Sequence, residues 1–412
     1  MMQKNIFLLR LLLLGLFLPL LAFPTGCWDR REPSLLGVVT VAAFDYNPQT
    51  GMLQVIAQVA NPLGISTGEN SGPGGGENPF WVVKADGHTV YEAIKNIEKV
   101  STRKLIWSHL EAVLFSETMA TEGLRPVLDY IDRERQARLI ARPFVVRGDV
   151  RQLLESKFPL EELGGQALIR QLLTIRMEDA FMPEIDSLLR LFHHLTVPGV
   201  ELILPRIEMQ VEEGEDNGAK NGGNSKMKTG RPNPVKISGA ALFRGDRLSG
   251  YFDEKEIAGY LWITENIRRQ TMVFTCPGEA DKYLTVEVYC SSSNLKAEVQ
   301  GDNVRMHLFV RAEGKLQDFA GLKLPLDEDF RKSLNRRMAT VIHNQIDTAL
   351  LKARELNLDI FGFGYELYKN RPQDWKRLEE KWPEIFSKVE VEPNVHAIVR
   401  CYGLVVDPIR IR

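Results

Sequence analysis

A chain of 412 residues is long enough for two or more domains of about 100 to 200 residues, each with its own core. Its 52 basic and 54 acidic side chains nearly balance at a net charge of −2, which withholds the clearly basic face that nucleic-acid binding calls for. Four cysteines over this length exclude a disulfide-built scaffold.

The N-terminus carries Lys4 and Arg10, then thirteen uncharged residues from Leu11 to Phe23. That is the length of a signal-peptide core, and short of the about 20 residues a spanning helix needs. Thr25-Gly26 form a small pair before Cys27, so cleavage there leaves a thiol as the first residue, able to carry a diacylglyceryl group through a thioether. We expect residues 1–26 to be a signal peptide and Cys27 the lipid attachment site. Pro24 stands where such signals place an aliphatic residue. An ordinary signal peptide cut nearby, or an uncleaved anchor over 5–23, are the alternatives, and each of them exports the chain. Loss of Lys4 and Arg10 takes the net charge from −2 to −4. Cys276, Cys290 and Cys401 are read as small buried hydrophobes, with a disulfide between Cys276 and Cys290 on successive strands as the alternative.

The first folded region opens with two strand-like runs, 35–44 and 52–60, joined by the turn Asn47-Pro48-Gln49-Thr50-Gly51. Residues 64–79 hold six glycines in sixteen positions. Without a Gly-Lys-Ser/Thr ending or a following helix they do not make a phosphate loop, and a surface loop is expected. A strand at 80–85 leads through Asp86-Gly87 into a helix from Val90 to Lys99, with Thr89 and Glu92 as a capping box. Strands at 111–117 and 139–148 alternate with helices, the one after Asp149 capped by Asp149 and Gln152. Helical patterns at 166–195 and a strand at 200–211 follow. Because the alternation begins with a hairpin, a mixed sheet is expected in place of a doubly wound parallel one.

Residues 212–234 contain only Ala219 and Met227 as apolar side chains and are read as a flexible linker. Beyond it, Gly245-Asp246 turns one strand into the next, and Asp253 with Glu256 boxes a short helix. Strand-like runs at 271–276, 283–292, 294–300 and 303–312 suggest an antiparallel meander. From Asp327 to Leu356, Phe330, Leu334, Met338, Ile342 and Ile346 recur four apart, a stripe that should lie along the sheet. Short helices at 363–381 and strands at 387–392 and 395–406 end the chain.

No catalytic constellation emerges. His193 and His194 are adjacent, so on a helix they diverge by about 100° and do not chelate as an i, i+4 pair would. Elbow, zincin, Cys-x-x-Cys and Walker sequences are absent. The segment Asp359-Ile-Phe-Gly-Phe-Gly364 is less ordinary. Its two glycines permit a tight left-handed reversal after the long helix, and its two phenylalanines plug a core or meet a partner. Asp359, Phe361, Gly362, Phe363 and Gly364 are therefore carried forward as a structural or interface motif. Trp375 and Trp382, seven apart, share one helical face.

In these blocks the chain resembles the Ger(x)C lipoproteins of spore-forming bacteria, the C subunits of nutrient germinant receptors. The resemblance rests on Cys27-Trp28-Asp29-Arg30-Arg31-Glu32, on His109 followed by EAVLFSETMATEGLRPVLDYIDRERQAR, on Gly239 to Gly250, on Asp359 to Gly364, and on Trp375, Trp382 and Phe386. Glu134-Arg135 stand where the family commonly has Asp-Pro, and the stretch 212–234 is long. The resemblance implies a lipid-anchored protein on the outer face of the spore inner membrane, assembled with integral membrane subunits of the receptor. It implies no catalytic residue, cofactor or metal.

The expectation is an α+β, multidomain protein: an N-terminal mixed sheet with helices over 27–211, a linker over 212–234, and a C-terminal antiparallel sheet packed against a long helix over 235–412. The alternative function, a solute-binding lipoprotein delivering a ligand to a membrane transporter, calls for two similar α/β lobes around a cleft, which the meander argues against.

Overall fold

The computed structural model describes residues 35–61, 79–156, 161, 164–178, 187–209, 235–276, 279–318 and 327–402. The leader, Cys27, the glycine-rich stretch as far as residue 78 and the linker 212–234 lie outside them.

Strand β1 (Leu36–Asn47) turns back antiparallel into β2 (Met52–Ala60). The Asn47 side chain accepts from the N–H groups of Gln49 and Thr50, and Gly51 takes a φ of 68°, which closes the turn. β3 (Phe80–Gly87) adds antiparallel to β2 and leads into α1 (Val90–Val100). Thr89 Oγ1 accepts from the Glu92 N–H, but the Glu92 carboxylate reaches past Thr89 to the N–H of His88 at 2.8 Å. The return arm of the expected capping box is displaced by one residue. α1 buries Val90, Ala93, Ile94 and Ile97, the i, i+3, i+4, i+7 stripe of a helix laid on a sheet.

β4 (Lys104–Ile106) and β5 (Ala112–Ser116) both run parallel to β1. After α2 (Glu117–Glu122) and α3 (Arg125–Arg133), β6 (Arg142–Arg147) adds parallel to β5. Helices α4 (Val150–Glu155), α5 (Gly164–Glu178) and α6 (Leu188–Thr196) then lead to β7 (Ile203–Met209), parallel to β6. β8 (Val235–Arg244) and β9 (Arg247–Phe252) finish the sheet antiparallel, in the order β3-β2-β1-β5-β6-β7-β8-β9 with β4 also on β1. The centre is parallel and both flanks are hairpins. Parallel strands must be covered on both faces. Val113 and Phe115 belong to one core with the α1 and α3 residues Ile94, Ile97 and Leu128, whereas Leu114, Phe144 and Val146 form another with Leu153, Leu168 and Leu172 of α4 and α5.

The strands flanking the linker are hydrogen-bonded neighbours, β7 to β8, so the first two strands after residue 234 belong to the sheet of the N-terminal region. Limited digestion should cut first within 212–234, where polar, glycine-rich sequence opens at little cost. The two fragments should stay together on gel filtration and part only in denaturant. First cuts at 235–318, or fragments that separate under native conditions, would contradict this.

α7 (Glu254–Thr264) carries the capping box expected of Asp253 and Glu256. β10 (Gln270–Cys276), β11 (Glu279–Gln300) and β12 (Asn303–Asp318) form the antiparallel meander. The runs expected as 283–292 and 294–300 are one strand, β11, which continues through Ser291-Ser292-Ser293 after a register shift between Val288 and Cys290. α8 (Glu328–Leu356) follows for 29 residues, with Phe330, Leu334, Met338, Ile342, Ile346 and Leu350 buried in one core with Met306, Leu308 and Val310 of β12. After α9 (Phe363–Asn370), α10 (Pro372–Leu378), a 3₁₀ turn (Glu379–Lys381) and α11 (Trp382–Phe386), strand β13 (Glu390–Tyr402) pairs parallel to β12. The two closing strands read from the sequence are this single strand. Pro393 sits within it, tolerated because β13 is an edge of the sheet.

Neither Cys276 nor Cys290 is in a disulfide; the first is buried and the second exposed, so the reading of Cys290 as a buried hydrophobe is corrected. Cys276 faces Glu279, whereas Cys290 lies beyond Val288, the partner of Gln270. Six residues of strand, about 20 Å, keep the thiols apart. The side chain of Cys401 is outside the described set. The two halves share neither strand order nor strand direction, unlike the paired lobes of a solute-binding protein. Among the described residues no helix is long and apolar enough to cross a membrane.

Candidate functional site

α8 stops at Asn357, whose left-handed backbone (φ 52°) lets the Leu358 N–H bond to the Ala353 carbonyl at 2.9 Å. Two residues later Asp359 turns its carboxylate into the protein. Oδ1 accepts from the Phe363 N–H at 3.0 Å, and Oδ2 from the Gly364 N–H at 2.8 Å and the Trp382 indole N–H at 2.9 Å. One buried side chain thus holds the start of α9 and the start of α11. Gly362 supplies the reversal with φ 74°. Gly364 is needed for space, because a Cβ there would lie 2.7 Å from Trp375 Cζ3 and 2.8 Å from Trp382 Nε1.

The aromatic side chains of the motif extend the anchor inward. Phe361 stacks on Phe363 at 5.3 Å, Tyr260 of α7 lies 6.1 Å from Phe361, and Phe386 of α11 lies 6.1 Å from Phe363. Trp375 and Trp382 meet edge to face at 5.5 Å. All five motif residues are buried.

A segment that sequence reasoning passed over completes the junction. Gly199, in the loop after α6, takes φ 74° and accepts from the Tyr365 N–H at 2.8 Å. The Glu201 N–H donates to the Asp359 backbone carbonyl at 2.8 Å, and Glu201 Oε2 accepts from the Gly245 N–H at 2.8 Å. The next residue, Asp246, accepts from the N–H groups of Leu124 and Arg125 through its carbonyl and carboxylate. Three blocks far apart in the chain, 123–125, 244–246 and 359–364, are therefore joined through Glu201 and its neighbours. Arg244 adds a hydrogen bond to the Leu356 carbonyl at 2.9 Å. Nothing in the composition of the 197–202 loop marks it; Pro198-Gly199 reads as an ordinary turn.

Beside the junction lies a cavity of about 270 Å³, whose lining includes Glu201, Arg244, Asn357, Trp375 and Glu379. Burial pushes the Glu201 carboxyl above its ordinary range, against the pull of the Gly245 N–H and Arg244. His193 and His194 sit in the last turn of α6 with rings 6.2 Å apart. Among the described residues no group of three His, Cys, Asp or Glu side chains could hold a metal ion.

Burial pushes the Asp359 carboxyl up to about 6, against the pull of its N–H donors. The folded protein then holds this proton more tightly than the unfolded chain, where aspartate titrates at about 3.9. The stabilising contribution is full below about pH 4 and is lost as the pH rises through about 6. Asp359→Asn, which cannot titrate, should flatten the fall in unfolding free energy over that window in urea titrations. An unchanged slope would assign the pH dependence to other groups.

The comparisons with known proteins follow this layout. A pattern described as the spore germination protein N-terminal domain matches residues 29–209, and one described as spore germination B3/GerAC like, C-terminal, matches residues 238–403. The chain belongs to the spore germination protein family. Similar members of that family in Bacillus subtilis (strain 168) include YfkR, 24% identical over 89% of this chain and 90% of its own length. Spore germination protein KC is 22% identical over 100% of this chain and 98% of its own. The crystal structure of the GerBC protein matches at a TM-score of 0.52 and 15% identity, covering 87% of this chain and 96% of that one, which shows a shared fold. The two family patterns meet across residues 210–237, where the β7–β8 pairing carries the sheet from one to the other.

Proposed function

We propose that the chain is a non-catalytic, lipid-anchored subunit of a spore nutrient germinant receptor, acting through assembly with integral membrane subunits on the outer face of the inner membrane. The observation that carries the reading is the match of both spore-germination patterns, which together span almost all of residues 29–403. Cys27 lies two residues before that span begins, where a short tether would hold the folded part beside the bilayer. A chain whose Asp359 to Gly364 motif builds a hydrogen-bonded junction, and not a reactive centre, contributes shape and position. No cofactor is assigned to it.

Affinity isolation of the tagged protein from spore membranes tests the assembly directly, and integral membrane subunits should be recovered with it. Spores lacking the protein should stop responding to the nutrients read by its own receptor while responding normally through others. Full germination without it, together with a hydrolytic activity of the purified chain, would remove the reading.

A further inference from the structure

The first sheet has one end built unlike the other. β1 begins there, and the register of β1 with β4 sets Leu36 beside Lys104. The end of β2 and the start of β3 lie at this same end, with Val59 opposite Trp81. The C-terminus of α1 runs into it through Ser101. A cavity of about 430 Å³ is lined in common by Gly37, Ala60, Trp81 and Arg103, so these elements converge on one surface.

That surface is apolar and basic together. Leu35 is 61% exposed, Val100 63% and Trp81 42%. Beside them stand Lys99, Arg103 and Lys104, and among the described residues none of the three takes part in an ion pair. The neighbouring Glu98 is held by Lys95 at 2.6 Å, leaving the local balance positive in a chain whose net charge is −2. Leu35 lies only eight positions after Cys27. At about 3.6 Å per residue that span reaches at most about 29 Å, so a lipid on Cys27 would hold the start of β1 within that distance of the bilayer.

We propose that this end of the first sheet rests on the surface of an anionic membrane, with Trp81, Leu35 and Val100 in the headgroup layer and Lys99, Arg103 and Lys104 on acidic headgroups. Tryptophan suits that layer because its ring is apolar and its N–H polar. Cationic side chains near an anionic leaflet are each drawn to it within a Debye length. The proposal rests on the lipid-anchored reading of Cys27 and adds an orientation: a tether alone leaves the folded part free to swing, whereas a second contact fixes which faces the membrane subunits meet.

Hydrogen exchange tests it, on the mature protein purified with its own N-terminus and set on vesicles of phosphatidylcholine alone or mixed with phosphatidylglycerol. Exchange over residues 99–104 should slow several-fold on the anionic vesicles relative to the neutral ones, while the Asn47–Gly51 turn at the other end of β1 is unchanged. Lys99→Glu combined with Lys104→Glu, both at exposed positions, should abolish the difference and leave the thermal midpoint in place. Equal exchange on the two kinds of vesicle overturns the proposal. So does protection already present without vesicles, which assigns the surface to another part of the chain. The mass of the N-terminal peptide separates the two readings. Lipid on Cys27 with no protection sinks the membrane-facing surface alone, and protection with a bare Cys27 sinks the anchor alone.

Discussion

Gly199→Ala should destabilise the protein by about 4 kcal/mol, enough to leave little soluble chain. Two separate penalties meet at this residue. Its φ of 74° costs any L-residue about 1 to 2 kcal/mol. A Cβ there would also lie 2.4 Å from the carbonyl carbon of Gly364 and 2.6 Å from the Tyr365 nitrogen. Both neighbours are backbone, so no rotamer change relieves the clash. The loop must retreat, which breaks the hydrogen bond from the Tyr365 N–H and pulls on the bond from Glu201 to the Asp359 carbonyl. Gly301 provides the control: its φ is 62°, yet nothing lies within 4 Å of the added carbon, so Gly301→Ala should cost only about 1 kcal/mol. Gly362→Val falls between them, since an added Cβ would have its nearest neighbours 3.6 Å away and the strain of about 1 to 3 kcal/mol acts without a clash at that atom. Urea unfolding orders the three. Equal losses at Gly199 and Gly301 would show that the junction is loose. A Gly362→Val protein that folds normally and no longer assembles would make the motif an interface.

What could be read in advance was what local chemistry decides. Asp253 and Glu256 satisfy each other's neighbouring N–H groups within four residues, and the helix began where they stood. The stripe from Phe330 to Ile346, five residues at a spacing of four, needed only the helical period, and all of it is buried. The hairpin opening separated a mixed sheet from a parallel one. Pairing across distance was not legible. Val235 follows a polar stretch that looks like a boundary, yet its strand is placed by Ile203 to Met209, which precede that stretch. The direction of β13 was hidden for the same reason: parallel and antiparallel edge strands carry the same alternation. Ser291-Ser292-Ser293 imitates a turn and is continuous strand, stabilised where the Ser291 hydroxyl accepts from the Ile267 N–H at 2.7 Å and the Ile267 carbonyl from the Ser291 N–H. At the candidate site, Asp359, Gly362 and Gly364 stood out because aspartate and paired glycines after a long helix need an explanation. Gly199 and Glu201 did not, because the partners they meet are backbone groups of Tyr365, Asp359 and Gly245, which leave no signature in side-chain type.

Cys27→Ala should abolish most of the protein's contribution to germination while leaving its fold intact. The substitution lies eight residues before the first described one, outside both sheets as described. What it removes is the thiol that would carry the lipid. Two acyl chains, each stabilised by about 0.8 kcal/mol per buried CH₂, hold a protein on a bilayer stably, whereas one chain is marginal. Without them, on the proposed reading, the chain must find the membrane subunits from dilute solution, losing the effective concentration that confinement to one surface provides. If the membrane-facing end of the first sheet also binds as proposed, the unanchored protein keeps a weak, salt-sensitive attachment, because headgroup attraction is screened and acyl burial is not. Fractionation should therefore find the Cys27→Ala protein released from membranes, or held there with its leader uncut. A leaderless, unlipidated version should restore the nutrient response poorly even when its total amount matches the normal protein. Higher expression should recover part of that response, since the defect lies in encounter and not in the contact itself. Full restoration at ordinary levels, or mass spectrometry showing a cleaved and unmodified Cys27 in a working receptor, would end the case for the anchor.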